Sequence, residues 1–199
     1  MSAKARSFLI WGVVLTAMMV PAALSLTSPQ LAWREPAYII AGFAGVVSLA
    51  VLLLQPLLIG NRLPGLSVLV SRRAHQMVGV LLVLMLIIHV AGLWITSAPD
   101  VIDAFLFRSP TPFSVWGVVA LWAVFASALS VAFRKRQWLR LRVWRTIHVV
   151  LACVIVVGSV VHALLIEGTM EPISKAVLCA LLLLAMAHLL VTLWRKRKT

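Results

Sequence analysis

Two pairs of histidines with the same spacing carry the chemistry that this sequence suggests. His75 and His89 lie fourteen residues apart in one apolar run, and His148 and His162 lie fourteen residues apart in another. An α-helix turns about 100° per residue, so fourteen residues fall only about 40° short of four full turns. Both imidazoles of a pair therefore share one helix face, at depths about 21 Å apart. Neutral imidazole is a good axial ligand for haem iron, and each helix offers two such ligands.

The direction of the two runs decides how the histidines pair. They are the third and fifth apolar runs of the chain, so both cross a membrane in the same direction. His75 then lies level with His148, and His89 lies level with His162. Two axial histidines leave iron with no open position, which suits electron transfer better than oxygen binding. The spacing predicts two b-type haems, one above the other, between the third and fifth helices.

Several basic residues lie beside the first pair of ligands. Haem propionates are anionic, and Arg72, Arg73 and Arg145 are placed to bind the propionates of the inner haem. His188 stands alone in the last apolar run. It is predicted to have a structural role, with contact to a quinone or a propionate as the alternative.

The mode of haem attachment follows from the isolated cysteines. Cys153 and Cys179 lie in separate apolar runs and belong to no C-x-x-C-H motif, so thioether attachment is not expected. Gly79, Gly92 and Gly158 lie near the ligands in sequence. They are predicted either to make room for porphyrin faces or to let helices pack closely.

The elements that position the histidines are membrane spans. The chain is 63% hydrophobic and 12% charged, which gives more apolar surface than a soluble core of 199 residues can bury. Each of its six apolar runs is near the roughly 20 residues that a spanning helix needs. We expect an all-α, six-helix transmembrane bundle and a single haem-binding domain over residues 1–199, with spans at about 8–26, 37–59, 74–96, 114–133, 146–166 and 174–194.

The distribution of charge predicts the orientation of the bundle. Fifteen of the eighteen Lys and Arg residues fall in the segments on one side, and all five acidic residues fall on the other. The positive-inside rule then places both termini in the cytoplasm. The net charge of +13 is assigned to topology and to anionic membrane lipid, and nucleic acid is not an expected partner.

The basic segment 134–142 lies on the inner side. It is predicted to anchor the topology of the bundle, with docking of an acidic flavoprotein or binding of a flavin phosphate as the alternative. A Gly-rich dinucleotide fingerprint after a strand is missing from the sequence. Flavin or nicotinamide chemistry that needs such a domain must therefore come from another protein.

Two motifs resemble a known family. Arg72-Arg73-Ala74-His75 with His89, and Trp144-Arg145-Thr146-Ile147-His148 with His162, are similar to the ferric reductase-like transmembrane domain, over about residues 38–194. Ferric reductases, NADPH oxidases and the haem-binding subunit of the bacterial methionine-sulfoxide reductase system share this domain.

The resemblance implies a short bacterial form in the inner membrane, an oxidoreductase subunit without its own flavin or nicotinamide domain. His75 with His148 would bind the inner haem b, and His89 with His162 the outer one. Electrons would come from a cytoplasmic flavin reductase or flavoprotein, with FMN or FAD at the cytoplasmic face or on that partner. They would pass to ferric iron or to a periplasmic redox protein.

Two alternatives to this function are open at the level of sequence. A cytochrome b subunit that oxidises membrane quinol also presents histidine pairs at such spacing, and it would be reduced by quinol without flavin. A transporter or structural subunit would use the histidines for packing or proton relay, and it would be colourless.

Overall fold

The structure, a computed structural model, describes residues 2–134 and 140–198. The described residues form α-helices and one short 3-10 helix, Pro29–Leu31, with no β-strand among them. The α-helices are α1 Ala3–Leu26, α2 Pro36–Leu52, α3 Leu54–Ile59, α4 Val68–Thr96, α5 Ala98–Phe105, α6 Pro112–Ala132, α7 Leu141–Leu165 and α8 Pro172–Lys198. Six helical stretches are long and apolar enough to cross a membrane, and α2 and α3 together make the second of these. The expected all-helical architecture with six membrane-length helices is confirmed.

The histidine helices begin earlier than the apolar runs predict. Helix α4 starts at Val68, where the Ser67 side chain accepts a hydrogen bond from the Val70 amide at 3.3 Å. Helix α7 starts at Leu141, so it also includes a polar first turn. Hydropathy marks only the apolar part of a helix, whereas the polar cap decides where the helix begins. The arginines that precede each first histidine therefore belong to the same helix as that histidine.

One proline divides the second span. Pro56 has no amide hydrogen to donate to the carbonyl four residues earlier, and its ring crowds that carbonyl. Helix α2 ends at this point, at Leu52, and α3 resumes at Leu54. The span continues across this break, so α3 is a separate short helix that contacts both α4 and α8.

The helices form a closed ring in which α4 and α7 each have one principal neighbour. Helix α2 packs along α4 and α6 packs along α7, while α1 and α8 complete the ring. Helices α4 and α7 share no extensive contact with each other. In the most apolar window of α4 only 11% of the residues are buried, and in that of α7 only 17%, against 50% in the second span. The two histidine helices are thus the ones that the described chain covers least.

Two glycines allow the close packing of these helix pairs. A Cβ atom on Gly92 of α4 would lie 2.8 Å from the Cβ of Ala41 in α2. A Cβ atom on Gly158 of α7 would lie 3.0 Å from the Cβ of Ala120 in α6. Both glycines therefore serve helix packing, which is one of the two roles expected for them. Gly79, the third glycine near the histidines in sequence, faces the amide of Gln55 instead.

The two ends of the bundle differ in charge. The end that holds the start of α1, the end of α8 and the loop after α3 is called here the basic end. The other end holds residues 27–35, 97–111 and 166–171, contains all five acidic residues and is called the acidic end. The segment 135–139, which is part of the basic segment expected to anchor topology or to dock a flavoprotein, lies outside the described residues.

Candidate functional site

The structure brings together the two histidines nearest the basic end. His75 of α4 and His148 of α7 have ring centroids 6.3 Å apart, with their planes at 74°. Their parent helices make little other contact, so the two imidazoles meet across a gap between helices.

His148 is held from several sides. Trp144, one helical turn earlier, stacks on its ring with centroids 5.4 Å apart and planes 15° apart. The Nδ1 atom of His148 lies 3.0 Å from the Ser127 hydroxyl of α6. The guanidinium of Arg134 lies over the Trp144 ring, 4.5 Å from its centroid. These contacts fix the orientation of the imidazole without using its Nε2 atom.

His75 differs because its Nδ1 atom is buried and has no hydrogen-bond partner. The neighbouring side chain is Gln55 of α3, whose amide nitrogen donates to the backbone carbonyl of His75 at 3.3 Å. The amide oxygen of Gln55 is also buried without a partner. Among the described residues these are the only two buried side-chain atoms left unsatisfied, and they belong to two residues that contact each other through other atoms.

The second pair lies toward the acidic end, and its two histidines are bound alike. His89 places Nδ1 2.8 Å from the carbonyl oxygen of Ala41, and His162 places Nδ1 2.8 Å from that of Phe113. A carbonyl oxygen only accepts, so Nδ1 must be the protonated, donating nitrogen. In a neutral imidazole the lone pair then lies on Nε2, the tautomer that a metal-binding histidine needs.

A glycine lies against each of these two imidazoles. Gly45 follows Ala41 by one helical turn, and a Cβ there would lie 3.0 Å from Nδ1 of His89. Gly117 follows Phe113 by one turn, and a Cβ there would lie 2.6 Å from the ring of His162. Both imidazoles are therefore positioned in the same way, by a backbone carbonyl that accepts from Nδ1 and a glycine four residues later that leaves room for the ring.

The predicted basic residues lie in the helical turns that precede His75 and His148, but their side chains are exposed. They are Arg72 and Arg73 in α4 and Arg145 in α7. His188 of α8 is also exposed and belongs to neither histidine pair. It lines a cavity between α1, α3 and α8.

The paired histidines are a donor set that a haem can use. No group of three or more His, Cys, Asp or Glu side chains that could hold an ion exists among the described residues. The histidines occur in twos, from facing helices. Imidazole nitrogen binds a metal at about 2 Å, so two imidazoles on opposite sides of one metal have centroids about 6 Å apart. The 6.3 Å between His75 and His148 is compatible with that arrangement.

Several supporting residues were not expected from the sequence. Trp144 had a usable signal, because it lies one turn before His148 and so shares its helix face. Ala41, Phe113, Gly117 and Gln55 act from neighbouring helices. Only the helix packing reveals them.

A comparison with protein families finds one match. The model described as ferric reductase-like transmembrane component matches residues 41–159, which is more than half of the chain. The matched segment contains three of the four histidines and ends three residues before His162. It is the family that the two sequence motifs resemble. No curated protein and no solved structure matches the chain.

Proposed function

Since the chain belongs to the ferric reductase-like transmembrane component family, we propose that it carries electrons across a bacterial inner membrane through two bis-histidine b-type haems. Residues 1–199 would form a single transmembrane haem-binding domain. The observation that carries the proposal is the meeting of His75 and His148 at 6.3 Å, inside the family match, from two helices that barely touch.

Each histidine pair would hold one haem. His75 and His148 would bind the iron near the basic end, and His89 and His162 would bind the iron near the acidic end. The bound haems would supply a one-electron iron couple. This assignment draws support from the Nδ1 contacts of His89 and His162, which leave Nε2 as the metal-binding atom.

The chain's own residues would perform three tasks. Ala41 and Phe113 fix the tautomer and orientation of their imidazoles through their carbonyl oxygens. The paired histidines, by both binding the haem, would exclude oxygen and water from the metal. At the basic end, Arg72, Arg73 and Arg145 would bind the haem propionates.

The charge distribution supports the direction of transfer. With the basic end in the cytoplasm, the donor would be a flavin reductase or flavoprotein linked to nicotinamide, and FMN or FAD would sit on that partner or at the cytoplasmic face. The acceptor would be ferric iron or a periplasmic redox protein at the acidic end. Moving an electron out of an interior-negative cell is favourable by about 2.3 kcal/mol per 100 mV if the electron crosses the whole membrane potential.

A haem count tests the proposal. We expect two haems per purified polypeptide, with a dithionite-reduced minus oxidised spectrum typical of b-type cytochromes. His89→Ala should retain about one haem, because the other histidine pair is intact. His188→Ala is the matched control and should retain two. A colourless wild type, after expression with ample haem, would contradict the proposal and favour a transporter or structural subunit.

A further inference from the structure

An apolar cavity separate from the histidine pairs lies between α1, α3 and α8. Its volume is about 410 Å³, within the range of ligand-binding sites. Most of its wall is aliphatic, including Leu9, Val13, Leu53, Leu57, Leu184 and Ala185. An occupant must therefore be largely hydrocarbon.

One end of this cavity carries a fixed positive charge. Arg62, from the loop after α3, lines the cavity together with Thr192 of α8. The Nη2 atom of Arg62 donates to the Thr192 hydroxyl at 3.3 Å, which holds the guanidinium at the cavity. A guanidinium has five N–H donors, so this one bond leaves it able to bind an anion.

Neighbouring helices add further cations at the same end. Arg6 precedes the cavity residues Leu9 and Ile10 by three and four positions, so it lies on the cavity face of α1. On α8, Arg195 and Lys196 follow Thr192 by three and four positions. All acidic residues lie at the opposite end of the bundle. Arg62 lines the cavity itself, and these further cations lie about one helical turn from lining residues of α1 and α8.

We propose that this cavity binds an anionic phospholipid, with its phosphate on Arg62 and an acyl chain along the aliphatic wall. Basic pockets between membrane helices on the cytoplasmic side bind anionic headgroups in this way. Topology anchoring accounts for basic residues at this end, but it does not account for an apolar cavity directly beneath them. A free phosphate would use only the charges, and a quinone ring would not need them.

A lipid in this cavity would contact the helix that is hydrogen-bonded to His75. Pro56 and Leu57 line the cavity from one face of α3, while Gln55 on another face donates to the His75 carbonyl. A bound lipid would therefore support the helix that contacts the His75 backbone. The lipid site itself does not depend on haem being bound.

Native mass spectrometry of the full-length protein, released from nanodiscs, tests the proposal. Wild type should retain phosphatidylglycerol in preference to phosphatidylcholine, and inorganic phosphate should not displace the lipid. Arg62→Gln should lower the affinity for phosphatidylglycerol about fivefold, the value expected for one cation worth about 1 kcal/mol near a membrane surface. Arg142→Gln, which removes an exposed arginine from α7 at the same end, is the matched control and should leave the affinity unchanged.

A second variant probes the aliphatic wall independently of charge. Ala185→Phe fills part of the cavity and should reduce lipid retention while leaving every basic residue in place. Equal phosphatidylglycerol retention by wild type and Arg62→Gln would overturn the proposal. So would displacement of the lipid by inorganic phosphate alone, or competition by a short-chain quinone that is insensitive to Arg62→Gln. Because lipid mass is the readout, the outcome is independent of the haem count.

Discussion

Hydrogen bonding at Nδ1 distinguishes His75 from the other three histidines of the pairs. His89 and His162 donate to backbone carbonyls, and His148 lies beside a hydroxyl, whereas the Nδ1 atom of His75 is buried without a partner. A buried, unsatisfied polar group is costly. We predict that the Gln55 amide oxygen, which is unsatisfied as well, accepts a hydrogen bond from this nitrogen when the histidine binds a metal.

We therefore expect Gln55 to tune the haem proposed at the basic end. A stronger acceptor at Nδ1 makes an imidazole ligand more basic, which stabilises oxidised iron and lowers the potential. Gln55→Glu should lower the midpoint potential of that haem, and Gln55→Leu should raise it. Spectroelectrochemical titration would measure both, with the haem of His89 and His162 as internal reference. If neither variant shifts a potential, Gln55 is a packing residue only.

Gly117 gives a steric test of the pair at the acidic end. A Cβ there would lie 2.6 Å from the ring of His162, so Gly117→Ala must displace that imidazole. Such overpacking costs about 1–3 kcal/mol. We predict that Gly117→Ala loses about one haem of two, measured by pyridine haemochrome assay. The control Gly12→Ala, where a Cβ meets nothing within 4 Å, should keep both haems. Full haem retention by Gly117→Ala would contradict the close contact between Gly117 and the His162 ring.

Among the helices, α7 and α8 are joined by polar contacts at the acidic end. The ammonium group of the buried Lys175 donates to the carbonyl of Ile166, just past the end of α7, at 2.7 Å. Glu171 precedes α8, and its carboxylate accepts from the amides of Ile173 and Ser174 at 2.9 and 2.6 Å. Backbone amides at a helix start favour a carboxylate, so the hydrogen bonds to Ser174 and Ile173 lower the pKa of Glu171 below its usual value of 4.5.

The Glu171 cap predicts a pH-dependent contribution to stability. Because the folded pKa is depressed, the contribution is present above the unfolded pKa of about 4.5 and is lost as the pH falls through the folded pKa. Glu171→Gln should melt at a lower temperature than wild type near neutral pH, and this difference should narrow in acid. Thermal unfolding of both proteins across that range measures it. A difference in melting temperature that is constant with pH would show that the charge is irrelevant.

For the molecule as a whole, charge asymmetry is the feature with the widest consequence. The first and last described residues lie at the basic end because an even number of spans connects them, and the acidic residues all lie at the other. From this asymmetry we expect the basic segments to lie in the cytoplasm.

Single cysteines introduced at the two ends test that orientation. In intact cells, a membrane-impermeant maleimide should label Gln30→Cys, whose side chain is exposed at the acidic end. Ser2→Cys, exposed at the basic end, should be labelled only after permeabilisation. The native Cys153 and Cys179 lie within α7 and α8, so the wild type serves as the background control. The reverse labelling pattern would contradict both the orientation and the proposed direction of transfer.

The properties of this protein that depend on neighbours in sequence were predictable from the sequence. Hydropathy located six spans, and helical periodicity placed His75 and His89, like His148 and His162, on one face of one helix. These inferences hold because hydrogen bonding and side-chain spacing in a helix are local. The predicted spans erred mainly at their ends, where the polar turns before His75 and His148 proved to be helical.

The tertiary structure decided which faces meet. The spans are apolar on nearly every side, so their sequence pattern carries little information about which helix packs against which face. Close contacts at Gly92 and Gly158 pair α4 with α2 and α7 with α6, and that pairing supplies Ala41 and Phe113 as acceptors for the histidines. The approach of His75 to His148 also depends on how the helices pack. Helical periodicity sets the direction of a side chain, but only the assembled bundle sets its distance from another helix.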